Sequence, residues 1–71
     1  MKYRTLKQFK EIMESMENGN WTQASKECVQ YGFYANDLLN SAEEYTEYYG
    51  IDVDYKDLVL LIEMATQERE K

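Results

Sequence analysis

The chain has 71 residues, with 14 acidic against 8 basic side chains, a formal charge of −6, one cysteine, no proline and no histidine. So short a sequence makes a single domain that buries only about 60% of the surface its unfolded form exposes, and one thiol gives it no disulfide framework. The missing histidine removes the commonest general base and metal ligand, together with any Ser-His or Cys-His nucleophile pair.

Three isolated glycines, at 19, 32 and 50, divide the chain. Each falls where a helix would end in a left-handed residue, and each is soon followed by an N-cap residue. The first helix is expected over 5–17. Thr5-Leu6-Lys7-Gln8 reads as a capping box, and Leu6, Phe9, Ile12, Met13 and Met16 lie on one helical face. Asn20-Trp21-Thr22-Gln23 offers a second box for a helix over 21–31, where Trp21, Ala24, Cys28 and Tyr31 repeat at three- and four-residue steps. Phe33 sits where a Schellman ending places its apolar contact.

A third helix is expected over 36–49, with Leu38, Ala42, Tyr45 and Tyr49 as its buried stripe and Leu39 widening it. Tyrosine, threonine, isoleucine and valine between 45 and 53 favour a strand, but a lone strand has no partner and the helical stripe already runs through Tyr45 and Tyr49. Asp52 or Asp54 caps a fourth helix over 55–68. Its stripe is Leu58, Leu61, Ile62 and Ala65, and Val59, Leu60 and Met64 spread apolar character around the cylinder. Such a helix is either central or covered by another copy. The charged residues 67–71 are expected to fray. The fold class is therefore all-α, a compact bundle of four short helices.

Met1-Lys2-Tyr3-Arg4 precedes no apolar signal core, and the longest apolar run, Leu58 to Ile62, falls far short of the roughly 20 residues that span a bilayer. The expectation is a cytoplasmic chain that makes no use of a membrane, with Cys28 as a small core residue.

Sites for small-molecule chemistry are weak. No glycine-rich phosphate loop exists. Counted from Asp52, a calcium loop would take Asp52, Asp54 and Glu63, yet Lys56 stands where an oxygen ligand belongs and Asp57 where glycine makes the turn. These aspartates read instead as helix-cap and first-turn acids favoured by the helix dipole. Glu43 and Glu47, four residues apart on a helix, read as solvated surface before they read as an acid/base pair. No metal, no cofactor and no enzymatic activity are expected.

Trp21-Thr22-Gln23-Ala24 running to Gly32, followed by a helix from Asn36, resembles the helix-turn-helix of phage repressors over about twenty residues. The resemblance implies a small DNA-binding regulator, with Lys2, Arg4, Lys7 and Lys10 on phosphates and Asn36 and Asn40 at base edges. The pattern departs from the family: its glycine is one position late, Cys28 stands in place of a typical small or apolar residue, and the would-be reading helix carries Asp37, Glu43, Glu44 and Glu47 without one arginine or lysine from 33 to 55. Direct contact with nucleic acid is therefore disfavoured.

The stronger signal is charge. Nine carboxylates face a single base, Lys56, between Glu27 and Glu63, and that stretch holds six of the seven tyrosines. Carboxylates interleaved with tyrosines suit a basic protein partner, because tyrosine is enriched at interfaces. The residues expected to bind it are Glu43, Glu44, Glu47, Tyr48, Asp52 and Asp54. In composition alone, small acidic chains of this kind resemble phage-encoded inhibitors of bacterial defence. That likeness implies an inhibitor whose carboxylates stand in for phosphates on a nucleic-acid-binding protein. The other expectation is a dimeric assembly subunit joined through Leu60 and Met64.

Overall fold

The computed structural model describes residues 5–71, which form α1 (Leu6–Glu17), α2 (Trp21–Tyr31), α3 (Ala35–Tyr49) and α4 (Tyr55–Arg69). Lys2 and Arg4 lie outside the described residues. The Cα envelope measures 34 × 30 × 16 Å. The short dimension is two helix layers, since packed helix axes stand about 8–10 Å apart.

Local signals set the helix ends. The Thr5 hydroxyl accepts from the Gln8 amide at 3.2 Å, and the Thr5 amide donates to the Gln8 side chain at 3.1 Å, which completes the capping box. Gly32 adopts φ 77°, so its amide and that of Phe33 turn back to the carbonyls of Val29 and Cys28 at 3.2 and 2.8 Å. This Schellman ending drives Phe33 into the core, fully buried. Asp37 accepts from the Tyr34 amide at 3.0 Å, so α3 starts one residue earlier than Asn36. The Asp54 carboxylate accepts from the Lys56 amide at 2.9 Å and caps α4. Asn20, expected to cap α2, makes no side-chain cap bond; its backbone amide closes the end of α1 on the Ser15 carbonyl instead.

The core combines small and large side chains. Ala24, Ser25 and Cys28 form the buried face of α2, and Ala65 adds another small residue from α4. That thin face lets α2 lie close to both α1 and α4, its main neighbours. Phe9, Ile12, Met13 and Met16 of α1, Leu58 and Leu61 of α4, Leu38 of α3 and Phe33 fill the space around it. The Ser25 hydroxyl donates to the Thr22 carbonyl at 2.8 Å, which satisfies the one strongly buried hydroxyl on that face.

Side-chain bonds reinforce this side. Ser15 and Gln23 both donate to Glu27, at 3.0 and 3.3 Å, and the Tyr31 hydroxyl donates to Glu11 at 2.7 Å. The Glu11 contact holds the Tyr31 proton and pushes the phenol above its ordinary range. Arg69 stacks its guanidinium 4.0 Å from the Tyr34 ring centre and donates to the Phe33 carbonyl. The segment expected to fray is thus helical to Arg69 and fastened to the α2–α3 turn.

Two further expectations need correction. Tyr49 follows the α3 stripe but is 38% exposed; it closes the edge of the core, with its ring 4.9 Å from that of Tyr45 and Lys10 5.3 Å above it. And of the two alternatives for α4, the central one fails: Val59 and Leu60 face solvent in the single chain. Among the described residues there is no strand, and no helix is long and apolar enough to cross a membrane.

Candidate functional site

The helices pair unevenly. α3 packs chiefly on α1 and α4 chiefly on α2, so α3 and α4 meet only sparsely. Between them runs an open groove of about 890 Å³. Leu39 and Ala42 of α3, Val53 of the connecting loop and Leu58 of α4 supply apolar lining. Glu43, Glu44 and Glu47 line the α3 side, and Tyr55, 67% exposed, lines the α4 side.

Helical geometry explains this distribution. The buried stripe of α3 is Leu38, Ser41, Ala42 and Tyr45. At about 100° per residue, Leu39, Glu43 and Thr46 lie to one side of that stripe and Glu47 slightly farther round. That side faces α4. On α4, Tyr55 and Leu58, three residues apart in the first turn, lie on the side turned toward the groove. One lip is therefore acidic, and the other aromatic and aliphatic.

The six residues expected to bind a partner divide into groups. Glu43, Glu44 and Glu47 come together at the groove. Tyr48, 74% exposed, lies on the other side of α3, edge-on to Tyr49 with ring centres 4.9 Å apart. Its surroundings include Lys10 above Tyr49, not the acid row alone. Asp52 and Asp54 border a separate hollow of about 140 Å³ with Glu17 and Asp57. Asp54 is already engaged as the α4 cap. Among the described residues, no three acidic or thiol side chains converge in a way that would hold a metal ion.

Sequence reasoning missed Leu39, Val53, Tyr55 and Leu58 as parts of one site. Leu39 and Leu58 read only as stripe residues and Val53 as part of the connecting segment, while Tyr55, off the stripes, read as one of several tyrosines suited to an interface. The groove that joins them depends on which helix each of α3 and α4 prefers as neighbour. Leu60, 45% exposed, and half-buried Met64 lie about 140° and 180° round α4 from Tyr55, away from the groove.

Two other groups complete the chemistry. Burial pushes the Cys28 thiol up to about 12, with Arg69 opposing the shift and Glu27 adding to it. A buried, protonated thiol is a core residue and a poor nucleophile. Tyr45 is likewise held above the ordinary phenol range, first by burial and then by Glu17 and Glu14. As for the helix-turn-helix resemblance, α2 and α3 both pack on α1 and, among the described residues, not on each other. Helix-turn-helix pairs pack on each other across their turn, so the structure lends that likeness no support.

No protein-family model, no curated protein and no solved structure matches this chain.

Proposed function

We propose that this protein is a non-enzymatic binding module that docks on a basic protein surface through the groove between α3 and α4. The observation that carries the reading is the pairing of an apolar floor with one acidic lip and an exposed tyrosine opposite. An apolar floor rewards burial of aliphatic side chains, while Glu43 and Glu47 reward lysine or arginine beside them. The groove is open along its length, which suits a macromolecule better than a small substrate needing enclosure.

A sharper form of the reading makes the protein an inhibitor. The exposed Glu43, Glu44 and Glu47 would then occupy a nucleic-acid site on the partner, carboxylates in place of phosphates. The test is affinity capture from a bacterial lysate with the parent chain and with the triple variant E43K/E44K/E47K. The expected result is a partner retained by the parent, released at about 0.5 M salt, where exposed charges are screened, and lost with the triple variant. Equal retention by both chains would sink the docking reading. If the captured protein binds duplex, and added duplex competes with the parent chain, the inhibitor form gains; no competition leaves the groove reading without it.

Leu60 favours a second reading, a homodimer through the outer face of α4, because a large aliphatic side chain stands 45% exposed there. Light scattering that finds a dimer for the parent and a monomer for L60E supports it. A monomeric parent removes it.

A further inference from the structure

We infer that the occupant of the α3–α4 groove is an amphipathic basic helix, with lysine or arginine at four-residue spacing along one edge and aliphatic residues on the adjoining face. This rests on the docking reading above and names the shape and chemistry of the partner segment.

Four observations lead there. Both walls of the groove are helices, whose backbone groups are bonded internally, and the described residues contain no strand. An extended peptide would find no sheet edge to pair its amides, whereas a helix brings its own hydrogen bonds. Next, the two lips differ: Glu43 and Glu47 stand on the α3 side, and Tyr55 and Leu58 on the α4 side. An occupant lying along the groove must present its charge to α3 and its apolar side to α4 and the floor, which is the pattern of an amphipathic helix.

The spacing of charge is also specific. Glu43 and Glu47 are one turn apart on one face, with Cβ atoms about 5–6 Å from each other. A partner helix lying roughly parallel or antiparallel to α3 matches them with bases at i and i+4. Finally, a second copy of this chain is a poor occupant. It carries the same charge of −6, and neither pair of bases on one described helix, Lys7 with Lys10 on α1 or Lys56 with Arg69 on α4, is four residues apart. Lys10 is moreover turned toward Tyr49.

The experiment uses the full chain, labelled with nitrogen-15, and two synthetic 18-residue peptides of identical leucine, lysine and alanine composition. In one, lysines recur at i, i+4 beside a leucine face; in the other the order is scrambled so that no helical face forms. The inference expects the patterned peptide to gain helical circular dichroism on binding. It also expects amide shifts concentrated at Leu39, Glu43, Glu47, Val53, Tyr55 and Leu58, and at least tenfold weaker binding of the scrambled peptide. The variant E43Q/E47Q, which keeps the shape and removes the charge, should weaken the patterned peptide by tenfold or more with an unchanged spectrum of its own. Equal binding of the two peptides would overturn the helical occupant while leaving a basic docking surface standing. No binding of the patterned peptide, or shifts located away from the groove, would overturn the inference outright, and the lysate capture decides the docking reading separately.

Discussion

Where α2 meets α1 and α4, small residues face large ones and polar side chains bond across the seam. Ala24 and Cys28 share the core with Phe9, Ile12 and Leu61, Ser25 is buried on the same face of α2, and Glu27 and Glu11 receive hydroxyl protons from the neighbouring helix. Where α3 meets α4 there is no such closure. Leu39 and Val53 are half-buried, Tyr55 is exposed, and Glu43 and Glu47 stand where a third wall would be. The contrast teaches that hydrophobic material is distributed by neighbour preference, not by helix. α4 carries apolar residues on both sides, yet only the side against α2 is sealed. An unsealed seam in an otherwise well-packed domain is where binding is to be sought.

The sealed side should fail first and most completely. Phe9 is fully buried between the rings of Phe33 and Tyr45, at centroid distances of 6.2 and 5.4 Å. Replacing it with alanine should cost about 3–5 kcal/mol, a large share of the stability of a small domain. Thermal unfolding followed by circular dichroism should show the F9A chain largely unfolded at room temperature. A melting point within a few degrees of the parent would mean that the seam is not the main source of stability.

Alkali should attack the core on both sides of Phe9. Cys28 and Tyr45 are held neutral in the fold, with pKa values raised above 9.0 and 10.0. Tyr31 is raised as well, by its bond to Glu11. A raised folded value means that the neutral form is favoured by folding. The contribution is whole below the unfolded value and is lost as pH rises through the folded one. Melting temperature should hold up to about pH 9 and fall steadily as the thiol range toward 12 is entered. In the folded chain near pH 8, Cys28 should resist a thiol reagent until denaturant is added. Rapid labelling without denaturant would contradict its burial.

The R69A substitution comes next. It removes the stacking on Tyr34 and the bond to the Phe33 carbonyl, at a cost of about 1–2 kcal/mol. Smallest of all is the effect of E43K/E44K/E47K on stability. With all three side chains exposed, unfolding in urea should move by less than about 0.5 kcal/mol even as capture of the partner is lost. A large loss of stability would show that the acid row supports the fold.

Much of the sealed side could be read from the sequence. Thr5 and Gln8 announced the start of α1, Asp54 offered itself as the α4 cap, and Phe33 announced the Schellman contact, because capping chemistry acts within a few residues. Leu38, Ala42, Tyr45, Leu58 and Leu61 declared themselves by spacing. What could not be read depends on distance along the chain. Nothing near Arg69 points to a ring and a carbonyl on the α2–α3 turn, so its segment looked like a fraying end. Tyr49 kept the period of the core but stands at the last turn of α3, where periodicity no longer guarantees cover. The glutamates were evident as charge, while the groove beside them required knowing that α3 prefers α1 and α4 prefers α2.

The 16 Å thickness of the molecule bears on how a partner is met. Two layers leave a core only one side chain deep, so every helix is also a wall. Moving α3 would uncover Tyr45 against Phe9, and the chain has little room for partial opening short of unfolding. The groove between α3 and α4 is thus a standing cleft and not a door. A guest would find it ready-made, and the ordering cost of association would fall on the guest, which must coil as it lands.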